Sequence, residues 1–543
     1  MSQRIPILIE PEHGEPVEIT SVTGNFYLSE ILADHGHPLN TRCGQRGLCR
    51  GCEVVLRQGS LMVDGTVIAA PATLRACQAR LLEPIVLGIP ARSRIEHKPQ
   101  VGETFEIALP YAHDPLFPVI GDRDTAFAVD IGTTTVVVLL VDLTTGEVLS
   151  RAGGFNAQIR FGDNVLTRID AARTPQAVAE MQSAVVRETI APLLVTACER
   201  AGRTTRRIAG GTIAGNTTML HLLAGEDPTP LGIAPFSARF LTAKQLAAAD
   251  VGLSAVGLSA ETPLHLLPSI AGYIGADITA GVYATGMAFA PAPSLLVDIG
   301  TNGEIVLQHN GRLIACATAA GPAFEGCGLS CGSRARDGAV SDLTLALNPF
   351  HIDAQTIGGT PMAHAAGICG SAYIDFLATA RTAGLLSHTG RFETAAWNSL
   401  PETRRLTEDG ERSILLAAGK AAPHISEVDV ALLLQAKAAI GAGIETLLET
   451  TDITTQEISR VHLAGGFGMH LNIPHAIAIG LLPGFSPQQI RVVGNTSLAG
   501  ALLALIDRNT LNEMETLRQQ VEVVELNLSD GFEDRYIEHL MLP

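Results

Sequence analysis

Four cysteines, Cys43, Cys49, Cys52 and Cys77, stand in the spacing C-x5-C-x2-C with the fourth 24 residues further on, amid glycine, arginine and small residues. Three thiolates on one loop can wrap a metal cluster from one side while a remote fourth completes the ligand set. The intervening Gly44, Gly47 and Gly51 permit backbone angles that aim amide N–H groups at sulfur. A 2Fe-2S cluster suits this arrangement. Four thiolates also suit tetrahedral zinc, but zinc sites usually come as two compact C-x2-C knuckles rather than a three-cysteine loop with a distant partner.

A second chemistry is written twice. Phe127 to Val138 contains Asp130-Ile131-Gly132-Thr133-Thr134, and Leu295 to Leu307 contains Asp298-Ile299-Gly300-Thr301-Asn302-Gly303-Glu304. Each reads as a buried strand, a tight turn and a second strand. Glycine beside small hydroxyl residues lets N–H and O–H groups converge on phosphate oxygens. An aspartate at the strand end can hold magnesium through water or position attacking water. A third element, Val461 to Gly468, brings Gly465, Gly466 and Gly468 after a short strand, where bare glycine would let a nucleobase or ribose approach the backbone. One Asp-x-Gly-Thr is an ordinary hairpin; two copies in equivalent contexts imply two related halves. Glu304 and Glu325 are candidate cleft carboxylates, with ordinary turn or helix-start positions as the alternative.

The elements that must position these residues are legible in outline. Ile5 to Ile9 and Val17 to Ile19 form a hairpin signal, and Leu28, Ile31 and Leu32 recur at helical spacing up to His35-Gly36. Strand, helix, loop and strand in that order predict a β-grasp ferredoxin. Pro90 to Thr125 has five prolines, mixed charge and few periodic apolar positions, as expected of a connecting segment that lets the first domain move. Val430, Leu433, Leu434, Lys437, Ile440, Ile444, Leu447 and Leu448 make one helical stripe after Ser426, a good N-cap. The expected architecture is multidomain, α+β and α/β. Its parts are a ferredoxin-like domain over 1–89, a linker over 90–125, a middle RNase H-like domain over 126–291 and a C-terminal ATPase domain over 292–543.

At 543 residues, two to four domains are expected. A net charge of -18 repels phosphate backbones and acidic membranes, and only 4% of residues are aromatic, so nucleic acid is not an expected partner. The N-terminus lacks a signal-peptide core, and apolar runs such as Val136 to Val141 fall far short of the ~20 residues that span a bilayer. A soluble, cytoplasmic protein without a membrane partner is expected. Cys316, Cys327, Cys331 and Cys369 read as small buried hydrophobes rather than a second metal site, and His221, His265, His364 and His462 as packing histidines.

The paired hairpins and the glycine turn together resemble the ATPase superfamily of actin, sugar kinases and heat-shock chaperones (ASKHA), in which ATP lies between two RNase H-like halves. That resemblance implies that Asp130 with Gly132, Thr133 and Thr134 forms one phosphate element. Asp298 with Gly300, Thr301, Asn302 and Gly303 would form the other, with Gly465, Gly466 and Gly468 at the adenosine. Asp130, Asp298 and Glu304 are the implied catalytic carboxylates. Fused to a ferredoxin module, the whole is similar to the reductive activators of corrinoid proteins (RACo). Asn156 to Val165, Ala214 to Met219, Asp298 to Glu304 and Ala320 to Gly326 carry this likeness. It implies a homodimer using a 2Fe-2S cluster, ATP and Mg2+, with an external electron donor, that reduces a Co(II) corrinoid protein of a methyltransferase system to Co(I). Related archaeal activators carry a cysteine-rich C-terminal 4Fe-4S region, whereas here no cysteine follows Cys369. The alternatives are an iron-sulfur ATPase serving another low-potential metalloenzyme, or a redox-sensing protein with an inactive nucleotide cleft.

Overall fold

The computed structural model describes residues 4–10, 16–22, 26–39, 41, 45, 47, 52–90, 93, 105–109, 111, 113–408, 410–419 and 422–543. They belong to two compact units: Met1–Lys98 with Ile159–Asp163, and Pro99–Gln158 with Asn164–Pro543.

In the first unit, alternation buries Ile5, Ile7 and Ile9 on one face of Arg4–Glu10. This strand pairs antiparallel with Val17–Val22 and parallel with Ile85–Gly88. Glu53–Gln58 and Ala72–Arg75 complete a five-stranded mixed sheet. The isoleucines meet Leu28, Ile31 and Leu32 of the helix Leu28–Asp34 in one core, and Gly36, at φ +82°, turns the chain just after it.

The second unit holds two six-stranded sheets built to one plan. In the first, Thr125–Ile131, Thr135–Asp142 and Val148–Phe155 run antiparallel in succession, and Ile208–Gly215 and then Pro263–Leu266 continue parallel to the first strand. In the second, Ser294–Ile299, Gly303–His309 and Arg312–Thr318 repeat the antiparallel trio, with Arg460–Ala464 and Ile490–Gly494 as the parallel strands. The repeated Asp-x-Gly-Thr is therefore the visible part of a repeated sheet. Both founding strands are continuous apolar runs because their faces are covered on both sides.

The halves interlock late in the chain. The helix Thr496–Ile506 is buried along its whole length and packs against Ala276–Ala284 of the first half. A Cβ on Gly500 would lie 2.4 Å from the Ala280 Cβ, and one on Gly281 would lie 2.7 Å from the Thr496 Oγ1. Only the missing side chains permit that approach. Thr212 Oγ1 donates to the Ala501 carbonyl at 2.7 Å, tying the same helix to the first sheet.

The proline-rich stretch is less free than expected. Asp114 N–H donates to the Ile506 carbonyl at 3.0 Å, Leu116 N–H to that of Leu505 at 2.9 Å, and Phe117 is buried. An extended strap held through its backbone and one aromatic ring leaves no periodic apolar pattern, which is why the sequence reads as loose there. The expected long helix is Glu427–Thr450, with Ser426 Oγ accepting from Asp429 N–H at 3.0 Å and Asp429 Oδ2 accepting from Ser426 N–H at 3.0 Å. By length and composition it could cross a membrane, yet it lies mostly buried in the core of its domain. Lys437 on its apolar stripe is buried, donates to the Met541 carbonyl at 2.8 Å, and is pulled down to a pKa of about 8 by desolvation.

Candidate functional site

Both Asp-x-Gly-Thr turns open onto one cleft of about 260 Å³. Asp130, Gly132, Thr133, Thr134, Asp298, Gly300, Thr301, Asn302, Glu304, Gly465 and Gly466 all line it. Gly303 and Gly468 do not. A Cβ on Gly303 would meet Thr318 Oγ1 at 2.6 Å and Ile440 Cγ1 at 2.9 Å, and one on Gly468 would meet Leu463 Cγ at 3.0 Å. Packing behind the cleft leaves no room for a side chain at Gly303 and sets Gly468 close against Leu463.

The first turn is held by residues far away in sequence. Asn156 Nδ2 donates to the Gly132 carbonyl at 2.9 Å, and Asn156 N–H donates to that of Thr134 at 2.9 Å. The buried Arg168 guanidinium donates to the Thr133 carbonyl. Asn216, which N-caps the helix Thr217–Ala224, gives Thr133 Oγ1 a bond at 3.0 Å. Loop carbonyls thus find donors behind the turn, leaving the Thr134 hydroxyl to face the cleft. The second turn closes on itself, Gly300 N–H to the Asn302 carbonyl at 2.9 Å. Gly465 is at φ +88°, and a Cβ there would lie 2.6 Å from Asp298 Oδ1. Its bareness serves the turn against Asp298, while Gly466 faces open space.

Four carboxyls converge at the cleft floor. Asp298 and Glu304 stand directly opposite each other on their hairpin and so share a face. Asp277 stands near the start of the helix Ala276–Ala284, after Gly275, where a Cβ would lie 2.5 Å from the Asn216 Cα. Asp130 accepts from Asn495 Nδ2 at 2.8 Å and from Ser497 Oγ at 2.7 Å. Burial and then the Asp130 charge push Asp298 up to about 7. Burial and then the charges of Asp298 and Asp130 push Asp277 up to about 8. Glu304 is held well above the usual range by burial, Asp277 and Asp298. Asp130 is raised by burial too, but the Ser497 and Asn495 donors pull against it, so it is the floor's best-supported anion. These carboxyls touch cleft solvent; the depth of protein around them, rather than complete exclusion of water, raises their pKa values.

At the mouth, Glu325 links the two turns. Thr134 Oγ1 donates to its Oε2 at 2.6 Å and Thr301 Oγ1 to its Oε1 at 2.8 Å. Arg334 Nη2 lies 3.4 Å from Thr134 Oγ1. Phe467 stacks on Phe324 with ring centres 5.3 Å apart and lines the same space. Asp277, Arg334, Asn495 and Ser497 escaped the sequence reading, which marked Asn216 only within the segment Ala214 to Met219. Gly275-Ala276-Asp277 and Gly494-Asn495-Thr496-Ser497, glycine followed by polar residues at a helix start, were the available signals. Arg160 and Asp163 are not among the cleft residues, and Asn164 caps the helix Val165–Ala171.

In the first unit, Cys43 and Cys49 lie outside the described residues. Cys52 precedes Glu53–Gln58 and Cys77 follows Ala72–Arg75; since Glu53 pairs with Arg75, both cysteines stand at one end of that antiparallel pair. Both are 0% exposed. Gln78 Nε2 donates to the Gln45 carbonyl at 2.7 Å and lies 3.6 Å from Cys77 Sγ, tying Gln45 to the neighbourhood of Cys77. Gln45 and Gly47 have φ of 62° and 70°. Among the described residues, no group of three or more His, Cys, Asp or Glu is arranged to hold a metal ion. Cys316, Cys327, Cys331 and Cys369 are buried and unbridged, and burial pushes the Cys369 thiol up to about 12. His221 is buried against Phe240, ring centres 4.4 Å apart.

Comparison with known proteins places these features in context. Residues 292–543 match the family model described as the C-terminal domain of RACo, the ASKHA domain, and residues 125–289 match the RACo middle region. The chain is 28% identical to the corrinoid activation enzyme RamQ of Eubacterium limosum over 96% of its own length and 97% of that protein. It is 26% identical to a Co(II) methylated amine-specific corrinoid protein reductase of Methanosarcina barkeri, over 76% of this chain and 75% of that one. A solved structure of a reductive activator for a corrinoid, iron-sulfur protein superposes with a TM-score of 0.71 at 30% identity, covering 99% of this chain and 98% of the other.

Proposed function

Since the chain belongs to the family of reductive activators of corrinoid proteins, we propose that it is an ATP-dependent enzyme that passes single electrons from a 2Fe-2S cluster to a Co(II) corrinoid protein of a methyltransferase system. The product is the Co(I) state that accepts methyl groups. An external donor refills the cluster, and the enzyme works as a homodimer in the cytoplasm. The reading takes 1–89 as a ferredoxin-like domain, 90–125 as a connection, 126–291 as the middle domain and 292–543 as the ATPase domain. The observation that carries it is the meeting of both Asp-x-Gly-Thr turns and the Gly465-Gly466 turn in one cleft, in a chain that also buries Cys52 beside Cys77.

Cys43, Cys49, Cys52 and Cys77 are the proposed cluster ligands. The two described cysteines fit: they are dry, face one end of a strand pair, and have an amide donor in Gln78. When bound, the cluster supplies a one-electron carrier, near about -400 mV for the plant type. The helix and mixed sheet around it support the β-grasp reading. Gln78 orients the loop and places positive dipole near sulfur, and the surrounding apolar core excludes water.

In the ATPase domain, Thr134 and Thr301 present hydroxyls to the nucleotide phosphates, and Gly132 and Gly300 make the tight turns that carry them. Asp130 and Asp298 would hold Mg2+, with Glu304 and Asp277 beside them; the ion supplies charge neutralisation for phosphates and carboxyls alike. The crowding that raises these pKa values is what a divalent cation relieves. With the ion bound, Asp298 would be a carboxylate able to orient attacking water through a hydrogen bond. Because each ~59 mV of uphill transfer costs a one-electron couple about tenfold, ATP must favour a complex in which cobalt is easier to reduce, which is differential affinity for two states.

The test is anaerobic: purified protein, a Co(II) corrinoid protein and a reductant, with and without ATP and magnesium, read by Co(I) absorbance. Reduction indifferent to ATP rejects the coupling. A colourless, zinc-loaded protein without a dithionite-induced EPR signal rejects the cluster.

A further inference from the structure

The Glu325 carboxylate occupies a donor set that suits a different anion. It is held by one hydroxyl from each Asp-x-Gly-Thr turn, Thr134 at 2.6 Å and Thr301 at 2.8 Å, so it spans the two halves of the cleft. A threonine hydroxyl has one proton to donate, and Glu325 takes both. Arg334 stands next to Thr134, its guanidinium 5.7 Å over the Phe155 ring, and its buried Nε has no hydrogen-bond partner among the described residues. Two hydroxyls and a guanidinium converging from both halves make a phosphoryl-binding set. A phosphoryl oxygen cannot take these protons while the carboxylate holds them, and two anions sharing the space repel. Glu325 ends a single 3-10 turn, Pro322–Glu325, between Gly321 at φ +74° and Gly326 at φ +73°, and rotation about its own side-chain torsions is enough to withdraw the carboxylate.

We propose that Glu325 is an internal competitor for a nucleotide phosphoryl group: its carboxylate latches the Thr134 and Thr301 turns together, and a nucleotide takes over the two hydroxyls and Arg334 by displacing it. The proposal rests on the reading of this cleft as a nucleotide site. It gives ATP a means of acting on the relation between the halves, since each binding event exchanges a protein-borne bridge for a ligand-borne one.

The full chain and its E325Q and E325A variants would be compared in two measurements. The first is binding of a non-hydrolysable ATP analogue, and of AMP, with Mg2+ by calorimetry. The second is amide hydrogen exchange of residues 132–135 and 300–302 without nucleotide. The competitor predicts an ATP-analogue affinity gain of about tenfold or more, because a charge-assisted hydrogen bond no longer has to be given up at each hydroxyl, a smaller gain for AMP, and faster exchange in both turns. E325Q, which keeps one acceptor oxygen, guards against misfolding of E325A and should fall between E325A and wild type. Unchanged or weaker analogue binding overturns the proposal, as does unchanged exchange. If no protein binds nucleotide while exchange still rises, the latch stands, and the nucleotide reading fails and takes the competition with it.

Discussion

Asn495 donates from its Nδ2 to Asp130 Oδ2 at 2.8 Å across 365 residues of chain. Together with Ser497 Oγ on the other oxygen, it opposes the upward shift that burial imposes on this carboxylate. The helix start that delivers both donors belongs to the second half, while Asp130 belongs to the first.

N495A and S497A should each raise the Asp130 pKa, because the lost donors favour the ionised form. The acidic limb of the ATP turnover profile should move to higher pH in both, with the maximal rate reduced about tenfold. The check is a pH–rate profile in saturating Mg-ATP. An unmoved limb would remove Asp130 from the chemistry.

Stability should depend on pH through the floor carboxyls. Asp298 and Asp277 are pushed up to about 7 and about 8 in the folded protein from an ordinary carboxyl value of 3.8, so the folded protein binds more protons than the unfolded chain between these limits. Their stabilising protonation is complete below pH ~4 and is lost as pH rises through 7 to 8. D298N should therefore gain stability relative to wild type across that window, as measured by urea unfolding without divalent ions. Added Mg2+ and nucleotide should narrow the gap.

Cys77→Ser should abolish the dithionite-reduced EPR signal and bound iron while leaving ATP affinity within about twofold, since nucleotide binding is assigned to the other unit. Q78L keeps the cysteines but removes the amide near Cys77 Sγ, so the potential should fall, on the order of tens of millivolts, by spectroelectrochemical titration. A colourless Q78L would mean that the glutamine holds the loop rather than tunes it.

Gly500→Val should drive the helix Thr496–Ile506 away from Ala280, where a Cβ would lie at 2.4 Å. A loss of about 1–3 kcal/mol is expected from overpacking, read by thermal unfolding. Turnover should fall with it, because the same helix carries Ser497.

The repeat, the glycine turns and the helix after Ser426 were legible in the sequence because each is a local pattern: apolar periodicity, a capping residue, or glycine where a side chain cannot fit. Asp130 and Asp298 stand near the ends of their strands and Glu304 near the start of the next, all in plain view. The docking of residues 114–117 was not legible because a strap held through its backbone leaves no periodicity, and the packing around Gly303 and Gly468 was not because glycine serves close packing as readily as ligand approach.

The sequence by itself determined which backbone turns form and which side chains they offer, since those follow from steric and hydrogen-bonding limits acting over a few residues. Only the tertiary structure decided that Asn495 and Ser497 serve Asp130, that Asp277 joins the acidic floor, and that Glu325 bridges Thr134 and Thr301. These relationships depend on two sheets packing through one shared helix. Distance along the chain carries no information about which charges will meet once the two sheets have packed.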